Sequence, residues 1–166
     1  GDIIPVTVLH HNDMHGNRRK GTYVGLTQLA TMVNQERAKT PDRNLLLNSG
    51  DTIQGDAMSY YFKTAPTGFA ADGTPIADPN MHIQPAIAAM NAMGFDAMTL
   101  GNHEFNFGHE VFTSVLSMAD FPMLGAVVSD DGSYGLDEVP VEPSIQRTVP
   151  GPYGDITLAI LGIDNH

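Results

Sequence analysis

Apolar residues along the chain fall into short runs separated by amphipathic stretches and polar loops. Residues 3–10 are β-branched and apolar, and they predict a strand ending at His10. A polar, glycine-containing loop follows to about Tyr23. Leu26, Leu29, Ala30 and Val33 then recur at helical spacing opposite Gln28, Gln35 and Glu36, which predicts an amphipathic helix to about Lys39. The run "TPDRN" breaks it, and "NLLLNSG", residues 44–50, reads as a short buried strand.

Residues 56–62 begin a further helix, and residues 64–81, rich in Pro, Gly, Ala and Asp, read as a surface insertion. The next helix places Ile83, Ala86, Ile87, Met90 and Met93 on one face, with Gly94 as its C-cap. Methionines at this spacing are core filler. A strand over 95–100, a helix over 109–119 burying Val111, Val115, Leu116 and Ala119, and a strand over 122–128 follow. Residues 129–143 form an acidic loop, and "SIQRTV", the turn "PGPYG" and "DITLAILGI" form a hairpin. Strands alternating with helices predict an α/β layered fold with a mainly parallel sheet flanked by helices.

A chain of 166 residues is long enough for one domain with its own core. Cysteine is absent, which removes disulfides, thiolate metal sites and cysteine nucleophiles together. The net charge of -11 argues against binding a long nucleic acid, since "NRRK" at 17–20 is the one basic cluster and reads as a solvated turn. No apolar run has the length of a membrane span. A small anionic substrate is compatible with this charge if metal ions supply the positive potential.

Ligands of open α/β sheets bind beyond the carboxyl ends of the strands. Three predicted strands end in polar clusters of one chemical kind: "HHNDMHGN" with Asp13 and His15, "NSGDTIQGD" with Asp51, and "GNHE" with Asn102 and His103. Each cluster alone is ordinary turn or cap chemistry, but three at the same end of one sheet point to a metal site. Carboxylate, imidazole and amide oxygen suit Zn, Mn, Fe, Co or Ni. An Asp can bridge two ions roughly 3.5–4 Å apart. A neutral Asn102 then keeps such a site net positive, so that it attracts a phosphate.

In order and spacing, "HNDMHG", "GDTIQGD" and "GNHEFN" closely resemble the calcineurin-like metallophosphoesterases, in particular the branch of 5'-nucleotidases, UDP-sugar hydrolases and 2',3'-cyclic-nucleotide 2'-phosphodiesterase/3'-nucleotidases. The likeness extends through "AMNAMGFDAMTLGNHEFNFG", "ADFPMLGA" and "AILGIDNH". It implies two divalent ions, with Asp13 and His15 on the first, Asn102 on the second and Asp51 between them. His103 would contact the phosphoryl oxygens, and a metal-activated water would attack phosphorus in line.

Typical 5'-nucleotidases carry Asp three residues beyond the histidine, whereas this chain has Asn106. An amide orients an imidazole without adding charge. "NHEFN" and "GDTIQG" are similar to the cyclic-phosphodiesterase/3'-nucleotidase members. Downstream segments of the family supply further histidine ligands, including a Gly-His-x-His motif, and a C-terminal domain that holds the nucleoside. Residues 1–166 therefore read as the N-terminal portion of a catalytic domain that requires the remainder of the enzyme, in the periplasm, the cell envelope or outside the cell.

Among other polar residues, His10 and His11 read as non-ligands, Glu104 as a hydrogen-bond partner of the loop backbone, and His109 and Glu110 as the first turn of a helix. Tyr60, Tyr61 and Phe62 read as a half-buried helix face and His166 as a loop histidine, while the sequence does not decide whether Asn12 and Asn17 contact phosphate. The alternatives are a hydrolase of UDP-sugars or other small phosphoesters, and an inactive metal-binding fragment.

Overall fold

The computed structural model describes residues 3–15, 25–64, 68–69, 75–76, 84–132, 134 and 136–164. Ile83, Asn17, the "NRRK" run and His166 lie outside the described residues. Strands β1 (Thr7–His11), β2 (Asn44–Asn48), β5 (Ala97–Thr99), β6 (Met123–Leu124) and β7 (Val141–Glu142) form one sheet in the order β1-β2-β5-β6-β7. Every pairing in it is parallel. Two antiparallel pairs stand apart: β3 (Gly68–Phe69) with β4 (Pro75–Ile76) in the insertion, and β8 (Ser144–Val149) with β9 (Ile156–Leu161).

Helices α1 (Leu26–Lys39), α3 (Pro85–Met93) and α5 (His109–Leu116) make the crossovers. The core joins Leu26 and Val33 of α1, Ala86, Ile87, Met90 and Met93 of α3, and Phe112, Val115 and Leu116 of α5 to Leu46, Met98 and Met123 of the sheet. The helical periodicities therefore identify the buried faces. Phe112, fully buried, extends the α5 face beyond the predicted residues.

The chain's caps explain where α3 sits. Gln84 Oε1 accepts the backbone N–H groups of Ala86 and Ile87, and Pro85 occupies the first turn, where no N–H is needed. At the other end Gly94 is left-handed; its N–H reaches Asn91 O and the Phe95 N–H reaches Met90 O, the Schellman pattern. Arg37 of α1 donates to Met93 O and Gly94 O, and its Nε lies 3.2 Å from Asn44 Oδ1. One guanidinium thus ties α1 to the negative end of α3 and to the start of β2.

Several strand limits differ from those predicted. β1 runs from Thr7 through His11 rather than ending at His10. β5 omits Asp96, whose carboxylate instead accepts the Leu46 N–H at 2.8 Å and faces Arg147 Nε at 3.5 Å, attaching the β8–β9 hairpin. β6 keeps only two residues, because a turn begins beyond Gly125. The acidic loop holds a 3-10 turn at Leu136–Glu138 and β7, a fifth sheet strand too short to carry a periodicity. No helix among the described residues is long and apolar enough to cross a membrane.

Replacing Arg37 with Met keeps the aliphatic stem and removes all three polar contacts. Charged hydrogen bonds of this kind contribute about 1.5–3 kcal/mol each at most, and a loss of about 2 kcal/mol is expected from urea denaturation. An unchanged midpoint would show that the α1–α3 contact does not depend on the guanidinium.

Candidate metal centre

The three polar clusters meet because their loops are hydrogen-bonded to one another directly past the strand ends. The Asp13 N–H donates to Gly50 O at 3.1 Å, and the His15 N–H donates to Asp51 O at 3.0 Å. A one-turn helix, α4 (Asn102–Phe105), follows β5, and its His103 N–H donates to Asp51 Oδ1 at 3.0 Å. Gly50, at φ 94, lies against Gly101 so closely that a Cβ on it would collide with the Gly101 backbone. Two glycines facing each other bring the β2 and β5 loops into contact.

Glu104 fixes this contact. Its side chain is fully buried. Oε2 accepts from Asp51 N and Gly101 N, each at 2.8 Å, while Oε1 accepts from Thr52 N at 2.6 Å and Ile53 N at 3.3 Å. Glu104 thus holds the backbone of the loop that carries Asp51, as its sequence position suggested. It is also the third residue of α4, reaching back to the N-cap N–H of Gly101 as in a capping box.

The result is a cluster. One ligand atom each from His15, Asp51 and His103 lies within 4.8 Å of the others. The two imidazoles meet edge to face with centroids 4.9 Å apart. Asp13 Oδ1 stands 3.4 Å from His15 Nε2, and the Asn12 amide donates to the Asp13 carboxylate rather than standing free. Asn102 is exposed at the start of α4. Asn106 closes α4, with Nδ2 2.8 Å from His103 Nδ1. All four carboxylate and imidazole positions predicted for the site therefore share one end of the sheet, with Asn102 and Asn106 on the short helix between them.

The backbone carries strain at the same place. Asp13 (φ 51), His15 (φ 46) and Asp51 (φ 56) are left-handed, and Asp42 is the remaining non-glycine residue of this kind among those described. Such conformations persist where surrounding contacts over-determine them, and they gather at functional sites. The donor set and its spacing fit a divalent cation.

Neither His10 nor His11 belongs to the cluster of His15, Asp51 and His103. His10 Nε2 lies 2.6 Å from Ser49 Oγ, and His11 lies beside Asn48, where burial and then the neighbouring His10 hold its pKa below the usual value against the pull of Asp13. Two residues beyond those predicted support the site. Gln54 meets both His15 and His103. Tyr134 donates its hydroxyl to Phe105 O and packs on the Phe105 and Phe112 rings, closing the end of α4. "GDTIQG" contained the first signal; nothing local in the acidic loop marked the second.

The model of the calcineurin-like phosphoesterases matches residues 6–156. The chain belongs to that family. Two curated members are each 34% identical to it. One is the 2',3'-cyclic-nucleotide 2'-phosphodiesterase/3'-nucleotidase of Haemophilus influenzae, matched over 66% of this chain and 15% of its own length. The other is the 5'-nucleotidase of Bos taurus, matched over 76% and 21%. The crystal structure of the calcineurin-like phosphoesterase YfkN from Bacillus subtilis superposes with a TM-score of 0.69 at 24% identity, over 96% of this chain and 48% of that one, and supports the fold. The chain thus spans about a fifth or less of these two curated relatives. Calcineurin-like phosphoesterases are hydrolases that use divalent metals, and this metallophosphoesterase has a donor cluster of the right kind.

Burial pushes the Glu104 carboxyl up to about 7, against the four N–H groups that favour its ionised form. A folded value above the ordinary 4.5 means stability that is full below pH 4.5 and is lost as pH rises through 7. Glu104→Gln removes this dependence and leaves N–H groups facing an amide N–H, costing about 1–3 kcal/mol. In metal-free protein, the stability gap between native and variant is expected to narrow from pH 5 to pH 7.5. A gap that widens would show that the N–H groups outweigh burial.

Proposed function

We propose that this metallophosphoesterase hydrolyses phosphate esters of nucleotides at two divalent ions held by the β1, β2 and β5 loops. The observation that carries the reading is the meeting of His15, Asp51 and His103 at the carboxyl ends of three adjacent parallel strands. Asp13 and His15 are assigned to one ion, Asn102 to the second, and Asp51 to both. Zn, Mn, Fe, Co and Ni all suit these donors. Once bound, such ions lower the pKa of water and offset the charge that builds on the phosphoryl oxygens.

The protein's own groups do the rest. Asp51 Oδ1 is held by the His103 N–H, so the carboxylate is oriented while Oδ2 is left for ligation. His103 is assigned to the phosphoryl group, where its imidazole stabilises charge or delivers a proton to the leaving oxygen. Asn106 is assigned a supporting role beside that ring as a neutral group, donating to the Gln54 carboxamide at 2.7 Å. Because the amide adds no charge, and because "NHEFN" and "GDTIQG" resemble that subgroup, the reading favours 2',3'-cyclic-nucleotide and 3'-nucleotide chemistry over 5'-nucleotides. By the same motif likeness, residues 1–166 are assigned to the N-terminal portion of a metallophosphoesterase catalytic domain. Further ligands and a substrate-holding domain would come from the remainder of the enzyme. Periplasmic, envelope or secreted placement follows from the same likeness.

Asp51→Asn in the complete enzyme is expected to abolish turnover and to lower metal content by more than the roughly 10–100-fold typical of supporting residues. Unchanged metal content would remove Asp51 from the bridging role. On a substrate panel, hydrolysis of 2',3'-cyclic AMP is expected to stand out beside 5'-AMP and a UDP-sugar. Activity confined to the UDP-sugar would contradict the nucleotide reading.

A further inference from the structure

Gln54 touches both imidazoles of the cluster through different groups. Its backbone oxygen lies 3.1 Å from His15 Nδ1, and its side-chain Oε1 lies against His103 Nδ1. The same Oε1 is 2.7 Å from Asn106 Nδ2, while its Nε2 is 3.3 Å from Tyr60 Oη. Tyr60 packs edge to face on Phe107, centroids 5.1 Å apart, so α2 (Ala57–Thr64) holds the far end of the carboxamide. Gly55, the next residue, lies so close to His15 that a Cβ there would collide with the His15 backbone. The Gln54–Gly55 turn is a seat for both rings.

The chemistry of these contacts restricts the protons. Both His15 nitrogens face acceptors, but the Gln54 carbonyl is the nearer, at 3.1 Å from Nδ1 against 3.4 Å from Nε2 to Asp13 Oδ1, so in the neutral ring Nδ1 carries the hydrogen and Nε2 the lone pair. For His103, the three atoms Nδ1, Gln54 Oε1 and Asn106 Nδ2 form a triangle. A triangle containing one amide oxygen and one amide nitrogen satisfies two of its edges and leaves one unmet. Leaving the longest edge unmet, His103 Nδ1 to Asn106 Nδ2 at 2.8 Å, makes both nitrogens donors to Gln54 Oε1. In this arrangement Gln54 Nε2 is turned outward and donates to Tyr60 Oη at 3.3 Å, so the outer end of the carboxamide has its own partner.

We infer that Gln54 is a positioning residue whose carboxamide holds His103 in the Nδ1–H tautomer, so that Nε2 is the nitrogen left to serve the cluster or a phosphoryl group. Asn106 alone would not do this, because it faces the ring with Nδ2, a donor that cannot accept the Nδ1 hydrogen. The inference deepens the phosphoesterase reading and rests on it only for what His103 does with Nε2. Metal-ligating histidines generally donate their second N–H to a carbonyl or carboxylate in this way, and one short turn supplies that partner to both His15 and His103.

The test uses metal-free protein labelled with 15N-histidine, at a pH where the rings are neutral, and reads the tautomers from long-range 1H–15N spectra. His15 and His103 are both expected as Nδ1–H. In Gln54→Met, His15 keeps its tautomer, since its partner is a backbone oxygen, and serves as the check on folding. His103 is expected to move to a mixture or to Nε2–H. Gln54→Glu, whose carboxylate only accepts, should retain Nδ1–H on His103. Nε2–H on His103 in the native protein or in Gln54→Glu overturns the assignment, as does an unchanged His103 in Gln54→Met. These spectra need neither metal nor substrate, so their failure is separate from a failure of the hydrolase reading.

Discussion

Glu104 places a carboxylate where no water reaches it and surrounds it with four backbone N–H groups from the loops after β2 and β5. Those N–H groups would otherwise be buried without partners, at about 1–3 kcal/mol each. The acid therefore determines how the two loops dock, and with them where Asp51 and α4 stand. Gly50 and Gly101 make the docking sterically possible. Asp51 then receives the His103 N–H, and the β1 loop adds itself through its own hydrogen bonds to Gly50 and Asp51. Each contact depends on the previous one.

The left-handed backbone at Asp13, His15 and Asp51 follows from this arrangement. Strained conformations cost of order 1–3 kcal/mol each, and here the hydrogen bonds between loops offset that cost. With the loops so held, one ligand atom each from His15, Asp51 and His103, in three segments far apart in the chain, lies within 4.8 Å of the others. The parallel sheet supplies the frame, since β1, β2 and β5 are neighbours and point the same way.

Much of this was readable before the structure. Periodicity found the helix faces because burial against a sheet demands it, and Met90 and Met93 proved to be core as their spacing implied. The candidate site residues were readable as strand-end clusters, and the structure brings His15, Asp51 and His103 together because their strands are parallel neighbours. Short features were not readable. β7 has two residues, and α4 is a single turn whose existence depends on Glu104 reaching Gly101 and the loop after β2. Gln54 and Tyr134 act through tertiary contacts with partners 49 and 29 positions away, which no local pattern encodes.

An acidic chain of net charge -11 needs local positive charge to hold a phosphate. Under the proposed function, ions shared by Asp51 supply that charge. Anomalous diffraction from crystals of the protein soaked in Mn2+ tests it most directly. The proposed function predicts two peaks about 3.5–4 Å apart, with the Asp51 carboxylate between them, and with His15 and Asn102 at opposite ends. Peaks confined to other acidic residues, with none at Asp51, would contradict it.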